Sequence, residues 1–356
     1  MTSVTALLPL ALAAVLDVPA GASLAEALAR ARPGDVVRLG PGLHSGTLGR
    51  ISNLRVEGAG ADSTRVVAPE GQDGAVVTGR VELAGLAIEA GDARAGLKVI
   101  DGHALLDGVA LSGNAVAAFL DGGRIEGNDV ALAGGYGLLV RSGEVRLRGG
   151  SVRAGGGRRA GVALLRGRLE LSRFSITGPF GEAAVTVSGG VAVLEELVIR
   201  DPGPAGITVA RGDVSGRDVE VSGARELPLE TGRGLDGVLG DCVQLLRGTL
   251  RLASSGLVRC AGAAVSASGG ELRLDGVDAQ GGSAGGLVLL DGARADLRGN
   301  WVTGRGPGLV AAGGSQVDAT FNRWRTDPVF WVECGTGARV RLGFGERSAE
   351  PCKKPQ

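Results

Sequence analysis

The chain has 356 residues, of which 65 are glycine, about 18% against a usual content of about 7%. Because 44% of the residues are hydrophobic and glycine does not recur at every third position, collagen and a disordered chain are excluded. The 38 basic residues balance the 38 acidic ones, so nothing in the charge supports a nucleic-acid partner. Aromatic residues make up only 3%, which weighs against a groove that stacks sugars on aromatic rings.

An apolar run from Ala6 to Leu16 is too short to cross a bilayer. We interpret residues 1–16 as a signal peptide, cleaved after Ala13 or Ala14, and expect no membrane span after cleavage. The expected location is therefore secreted, periplasmic or at the cell surface. No Lys or Arg precedes the run, which leaves an N-terminal strand or a misassigned start as alternatives.

Residues 23–32 have the pattern of an amphipathic helix. Ser23 and Glu26 form a Ser-x-x-Glu capping box, and Pro33 with Gly34 ends the pattern. The apolar stripe consists of Leu24, Ala27, Leu28 and Ala31. A helix of this kind is suited to cover the first coil of a solenoid, where exposed strand edges would otherwise invite aggregation.

Short apolar runs recur along most of the chain, separated by 24, 23, 22, 36, 22, 22 and 22 residues. Their first residues are Gly137, Gly161, Ala184, Gly206, Cys242, Ala264, Gly286 and Gly308. Positions 2 and 4 of each repeat are apolar, so they face one side of a strand. Position 7 is always glycine, which predicts a positive φ or a lack of room for a Cβ atom. Positions 9 and 11 begin a second inward-facing strand, and a third short strand follows.

This pattern predicts an all-β fold, a single-stranded right-handed parallel β-helix of about 12 coils of roughly 22 residues with an N-terminal capping helix. We expect the β-helix to span residues 17–330 and a C-terminal cap or tail to span residues 331–356. All three tryptophans lie at position 301 or later, with Phe321, Phe330 and Phe344 nearby. We interpret these aromatic residues as a C-terminal plug; a sugar site is the alternative.

One coil is longer than the others by about 14 residues, and the extra residues lie between 225 and 241. This insertion is either a solvated surface loop or a functional loop projecting from a rigid scaffold. Its charged residues are Arg225, Glu226, Glu230, Arg233, Asp236 and Asp241.

The four cysteines are Cys242, Cys260, Cys334 and Cys352. Both neighbouring pairs are 18 residues apart, so the pairings 242–260 and 334–352 would each link one coil to the next. Sequence alone cannot choose among the three possible connectivities, and four buried thiols are the alternative. Zinc is disfavoured because the sequence has no CxxC and its only histidines are His44 and His103.

The segment Asp17–Gly46 resembles the opening of pectin-lyase-like β-helix proteins, with Pro33-Gly34-Asp35 and Pro41-Gly42 in the places of two turns. The stretch Asn322-Arg323-Trp324 is similar to the Asn-x-Trp pattern that closes many such repeat regions. This resemblance implies the fold for nearly the whole chain. It also implies that relatives include polysaccharide lyases, glycoside hydrolases and sugar epimerases, whose groove lies along the outer face of the first sheet.

That outer face corresponds to positions 3 and 5 of the repeat, which hold no Asp, Glu, Asn, His or Lys in the eight aligned repeats. The catalytic motifs of polygalacturonases and alginate epimerases are absent. Instead, the face has a partly apolar stripe that includes Leu139, Leu165, Leu246 and Leu290. Such a stripe, if uncovered, suggests a partner surface.

Some polar residues of the earlier coils could also form a site. Asp101 and His103 flank a turn glycine, with Lys98 and Asp107 nearby. A second group, Asp121, Asn128 and Asp129, could bind a cation at the edge of the stack. Exposed surface without a ligand is the alternative for both groups.

Two functions therefore remain. The main expectation is an exported, non-catalytic scaffold with a structural, adhesive or carbohydrate- or partner-binding role at the cell envelope, and with no cofactor. The alternative is a polysaccharide lyase or glycoside hydrolase with an atypical site in the insertion. Its candidate catalytic residues are Glu230, Asp236, Asp241 and Arg233, with Glu226 as a further carboxylate. In that alternative Arg225 or Arg233 would bind an acidic sugar, and calcium would enter only for a lyase.

Overall fold

The computed structural model describes residues 13–92, 94–155, 159–225 and 240–343. It is a parallel β-helix of about 14 turns, which confirms the predicted fold and slightly exceeds the predicted number of coils. The strand pairings in the described part of the chain are parallel, and each strand pairs with the equivalent strand of the next coil. Three sheets, which we name A, B and C, run along the solenoid.

Sheet A contains β4 (Gly49–Ile51), β7 (Ala75–Val77), β12 (Val162–Leu164), β14 (Val185–Val187), β16 (Ala205–Val209), β19 (Asp241–Leu245), β22 (Ala263–Ser268), β25 (Gly285–Leu290), β28 (Leu309–Ala311) and β31 (Phe330–Val332). Sheet B contains β1 (Val15–Val18), β2 (Val36–Leu39), β5 (Leu54–Glu57), β8 (Arg80–Ala84), β17 (Asp213–Arg217), β20 (Thr249–Ala253), β23 (Glu271–Asp275), β26 (Arg294–Arg298), β29 (Gln316–Thr320) and β32 (Arg339–Leu342).

Sheet C contains β3 (Gly42–Ser45), β6 (Thr64–Val67), β9 (Ala87–Ala90), β18 (Glu220–Ser222), β21 (Gly256–Val258), β24 (Asp278–Gly281), β27 (Trp301–Gly304) and β30 (Arg323–Arg325). The remaining strands continue around at least one corner and belong to more than one sheet: β10 (Ala95–Asp107), β11 (Ala110–Ala154), β13 (Arg168–Thr177) and β15 (Val191–Arg200).

The core is a continuous apolar column inside the three sheets. The residues at repeat positions 2 and 4 are buried, as shown by Val162 and Leu164, which are fully inaccessible. In the next coil Val185 and Val187 pair with them and are equally buried. No coil can bury these side chains alone, so the stability of each coil depends on its neighbours.

The N-terminal helix, α1, spans Leu24–Arg30, slightly shorter than the predicted 23–32. The Ser23 side chain accepts a hydrogen bond from the Glu26 amide at 3.3 Å, as the capping box predicts. Leu24 and Ala27 are buried in the core. The helix therefore covers the first coil with its apolar stripe.

Both predicted ends of the solenoid differ from the structure. At the start, β1 begins at Val15, before the predicted boundary after residue 16, and Val15 pairs with Val36. At the other end, β31 and β32 continue the stack past residue 330, into the segment expected to be a cap or tail. No helix in the described residues is long and apolar enough to cross a membrane.

The C-terminal aromatic residues divide into two groups. Trp324 and Phe330 pack edge to face, with ring centroids 5.0 Å apart, and both lie against the core as the plug interpretation expected. Trp301, Phe321 and Trp331 are instead exposed. Phe344 lies outside the described residues. Three of the aromatic side chains therefore face the surroundings of the protein rather than its interior.

Cys242 and Cys260 form a disulfide bond with Cα atoms 5.3 Å apart, which selects one of the predicted pairings. It links β19 to the turn between β21 and β22. The Cys334 side chain and Cys352 lie outside the described residues, so their pairing stays a prediction.

Candidate functional site

The outer face of sheet A matches the sequence-based description. Leu165 is 42% exposed, and Leu139, Leu246 and Leu290 are partly exposed. Toward the N-terminal coils, the Lys98 ammonium lies over the Phe119 ring at 5.9 Å from its centroid. In the eight aligned repeats the face has no acid–base pair, so it lacks the groups that would cleave a glycosidic bond.

Of the candidate residues in the insertion, Glu226, Glu230, Arg233 and Asp236 lie outside the described part of the chain. Asp241 is only 1% exposed. Its carboxylate accepts hydrogen bonds from the Ala263 amide, the Ser266 hydroxyl and the Gln244 side-chain amide. Burial raises the pKa of this carboxyl group, and the three hydrogen bonds partly oppose that shift. Asp241 therefore joins neighbouring coils through a buried carboxylate that contacts the outward-facing Gln244 and Ser266. Its assignment to a catalytic site stays a prediction.

Some residues of the two groups in the earlier coils have contacts of their own. His103 lies on the outer face of sheet B, with its Nε2 atom 3.9 Å from a Glu126 carboxylate oxygen, and it lines the same shallow groove as Asp101. Asp121 accepts a hydrogen bond from Arg141 at 2.9 Å and another from Ser142 at 3.2 Å. Among the described residues no cluster of three His, Cys, Asp or Glu side chains could hold a metal ion.

Sheet C carries a polar column that the sequence analysis did not identify. Strand pairing aligns Glu220 with Gly256, Gly256 with Asp278, and Asp278 with Trp301. Arg323 follows Trp301 in the next coil. Both carboxylates and the two following side chains are exposed, whereas their strand neighbours Val221, Leu257, Ala279 and Val302 are buried. Alternation along each strand thus projects the polar column outward.

A groove of about 690 Å³ lies beside this column, at the corner between sheets C and A. Its sides include Arg225, Arg259 and Arg305, and its floor is formed by small residues of three successive turns. The floor residues are Ala261, Gly281, Gly282, Ser283 and Gly304. No carboxylate lines the groove among the described residues.

Trp301 stands next to the groove with 41% of its surface exposed. The Arg325 guanidinium lies over the Trp301 ring, 5.2 Å from the ring centroid, and covers one face of the indole. Inside the groove, the Gln280 side-chain oxygen accepts a hydrogen bond from the Arg259 amide at 3.3 Å. At the rim Arg225 donates to Asp201 at 3.2 Å. The face therefore combines an aromatic platform with a cationic groove.

Neither a protein-family model nor a curated protein sequence matches this chain. Several solved structures match this chain. The catalytic domain of a GH87 α-1,3-glucanase variant in complex with tetrasaccharides superposes with a TM-score of 0.62 at 11% identity, covering 91% of this chain and 68% of that one. The same type of domain in complex with nigerose gives a TM-score of 0.54 at 11% identity, over 94% and 68% of the two chains.

A third match is the catalytic unit of a thermostable GH87 α-1,3-glucanase from Streptomyces thermodiastaticus, with a TM-score of 0.50 at 13% identity, over 88% of this chain and 67% of that one. The chain has the pectin-lyase-like fold. At the level of the fold, this confirms the resemblance seen in the Asp17–Gly46 segment. At these identities the likeness extends to the fold, and the chemistry must be argued from the side chains on this solenoid.

Proposed function

We propose that this pectin-lyase-like protein is a carbohydrate-active β-helix that binds a polysaccharide along the outer face of sheet C. The exposed Trp301 beside the groove carries this proposal. One face of a pyranose ring presents C–H groups that pack on an indole ring, while the hydroxyl groups at the ring edge need polar partners. Gln280 and Thr303 are aligned polar residues next to the platform. The main expectation, a non-catalytic scaffold, is less well supported than its carbohydrate-active alternative.

The proposal also includes export from the cytoplasm. Disulfide bonds form and persist mainly in oxidising compartments, and Cys242–Cys260 is such a bond. A location outside the cytoplasm would bring the protein to its polysaccharide. The three solved structures with this fold are themselves catalytic domains of glucanases.

A specific observation favours hydrolysis as a second function of the same face. Glu220 and Asp278 are separated by one strand, whose aligned residue is Gly256. Two strand spacings place their Cα atoms about 9.6 Å apart. No atom lies within 4 Å of the position that a Gly256 side chain would occupy, so the space between the carboxyl groups is open. Inverting glycosidases hold their two carboxyl groups, rather than the Cα atoms, about 6.5–9.5 Å apart, with a water molecule beside the base.

The binding proposal is tested with the purified mature protein and a panel of neutral and acidic polysaccharides, by affinity electrophoresis and calorimetry. We expect retention on at least one polysaccharide and a loss of about tenfold or more for Trp301→Ala. Trp331→Ala is the matched control, since this tryptophan is 52% exposed on sheet A. Equal losses in the two variants, or no retention on any polysaccharide, would contradict the proposal.

The hydrolysis proposal is tested by measuring new reducing ends on each polysaccharide that binds. Glu220→Gln and Asp278→Asn should each abolish release while leaving binding nearly unchanged, because both are isosteric and exposed. Glu195→Gln, an exposed carboxylate on sheet B, should retain full activity. Binding without any release by the unmodified protein would contradict hydrolysis and leave the binding proposal intact.

A further inference from the structure

The groove beside Trp301 has an unbalanced charge. Three arginines line it, without a carboxylate among the described lining residues. Arg259 and Arg305 form no ion pair with any other described residue. Arg225 is paired only with Asp201, and the side chains are 74% and 54% exposed. An ion pair this exposed contributes little and is easily exchanged for another anion. Arg323 adds a fourth guanidinium on the adjoining column.

The N-terminal half of sheet B shows how this chain otherwise arranges its exposed arginines. There Arg124, Arg146 and Arg168 each lie within 3.0 Å of at least one glutamate oxygen. Pairing of this kind, within a strand for Arg124 and Arg168 and across strands for Arg146, neutralises the charge of a solenoid face. Among the described residues the groove on sheet C lacks such partners, so its positive potential is available to a ligand. Guanidinium groups bind carboxylate and sulfate oxygens through two parallel hydrogen bonds, which gives the bound anion both affinity and orientation.

The glycine floor keeps these arginines accessible. A Cβ atom at Gly282 would overlap the carbonyl oxygen of Ala261, and one at Gly304 would lie 2.5 Å from that of Gly281. The tight stacking of the turns thus requires glycine at both positions. These close-stacked glycines line the same groove as Arg259 and Arg305.

We propose that this groove makes the protein selective for an acidic polysaccharide, whose carboxylate or sulfate groups bind Arg259 and Arg305 while a neighbouring sugar packs on Trp301. The inference rests on the proposed function and adds the substrate class. It also places the selective contacts at the corner of sheets C and A, away from the outer face of the first sheet. Arg225 is the third contact, after release from Asp201.

The test compares three probes: polygalacturonate for carboxylate groups, dextran sulfate for sulfate groups and dextran as the neutral chain. We expect the unmodified protein to bind at least one acidic probe, with an affinity that falls as NaCl is raised. The double variant Arg259→Gln/Arg305→Gln should lose at least about tenfold in that affinity, equivalent to about 1.4 kcal/mol, because it removes two charge-assisted contacts with the anion. Which acidic probe responds identifies the anionic group.

The matched control is Arg251→Gln/Arg273→Gln on sheet B, which removes the same net charge from exposed positions. Equal losses in the two double variants would overturn the inference, since binding would then depend on overall charge. Preferential binding of dextran, lost in Trp301→Ala but kept in the groove variant, would overturn the acidic class while the proposed function stands. Failure to bind any of a broad panel of polysaccharides would contradict both the acidic substrate class and the proposed function. Thermal unfolding monitored by circular dichroism checks that each variant is folded.

Discussion

The glycine at position 7 of the repeat is required for two separable physical reasons. Gly167 has φ of 97°, and a Cβ atom there would overlap the carbonyl oxygen of Gly143 in the preceding coil. Gly292 holds the same position with φ of 76°, but nothing lies within 4 Å of its Cβ position. The first glycine is therefore constrained by backbone conformation and by stacking, and the second by conformation alone.

These two glycines allow the two costs to be measured. Gly292→Ala should destabilise the protein by about 1–2 kcal/mol, the usual penalty of a left-handed conformation for an L-residue. Gly167→Ala should cost clearly more, because the coils must also separate to admit the methyl group. The measurement is the urea unfolding midpoint by circular dichroism. Equal shifts in the two variants would show that the contact with Gly143 carries no energetic weight.

At the scale of the strand, sheet B carries an alternating ladder of arginine and glutamate. Glu170 accepts hydrogen bonds from Arg146 at 2.6 Å and from Arg168 at 2.7 Å. The hydrogen bond from Arg146 is the main reason that the pKa of Glu170 lies below its ordinary value of 4.5. Because the folded protein then binds fewer protons than the unfolded chain, this ion pair stabilises the fold above about pH 4.5. Its contribution is lost as the pH falls through the lowered pKa.

Glu170→Gln should therefore lower the thermal midpoint at pH 7, and the difference from the unmodified protein should shrink below pH 4. In 1 M NaCl, where charges are screened over about 3 Å, the difference at pH 7 should also decrease. Scanning calorimetry at pH 7 and below pH 4 measures the thermal midpoints, with Glu195→Gln as an exposed control on β15. A constant difference at both pH values would assign the effect to packing instead of charge.

The length of the strands explains which parts of the site can be predicted from the sequence. Sheets A and B have at least two inward positions per coil, so their inner and outer faces can be predicted from the alternation of apolar residues in the sequence. A strand of sheet C such as β21 spans three residues and has one inward side chain, Leu257. Moreover, the insertion separates Glu220 from Gly256 by 36 residues, so their alignment appears only once the coils are stacked. The clustering of the aromatic residues near the C-terminus favours a plug from sequence alone, whereas the stacked coils show that Trp301 faces outward beside Asp278.

At the scale of the whole molecule, each coil is stabilised mainly by contact with its two neighbours. The long coil interrupts this regularity, since the chain leaves sheet C after Ser222 and returns to sheet A only at Asp241. Two features hold the returning strand in place: the buried Asp241 bonds to the next coil, and the disulfide joins Cys242 to Cys260. The groove residues Arg225 and Arg259 lie on either side of this junction, so the disulfide also stabilises the geometry of the groove.

Replacing both cysteines, Cys242→Ser/Cys260→Ser, should destabilise this junction by about 3 kcal/mol, because the bond closes a loop with a sequence separation of 18 residues. We expect a lower unfolding midpoint and faster proteolysis on the C-terminal side of the insertion, both measured under oxidising conditions. Reductant should bring the unmodified protein down to the level of the reduced variant. A decrease when the oxidised variant is itself reduced would reveal the predicted second bond, Cys334–Cys352. A variant as stable as the unmodified protein would show that stacking alone holds the long coil.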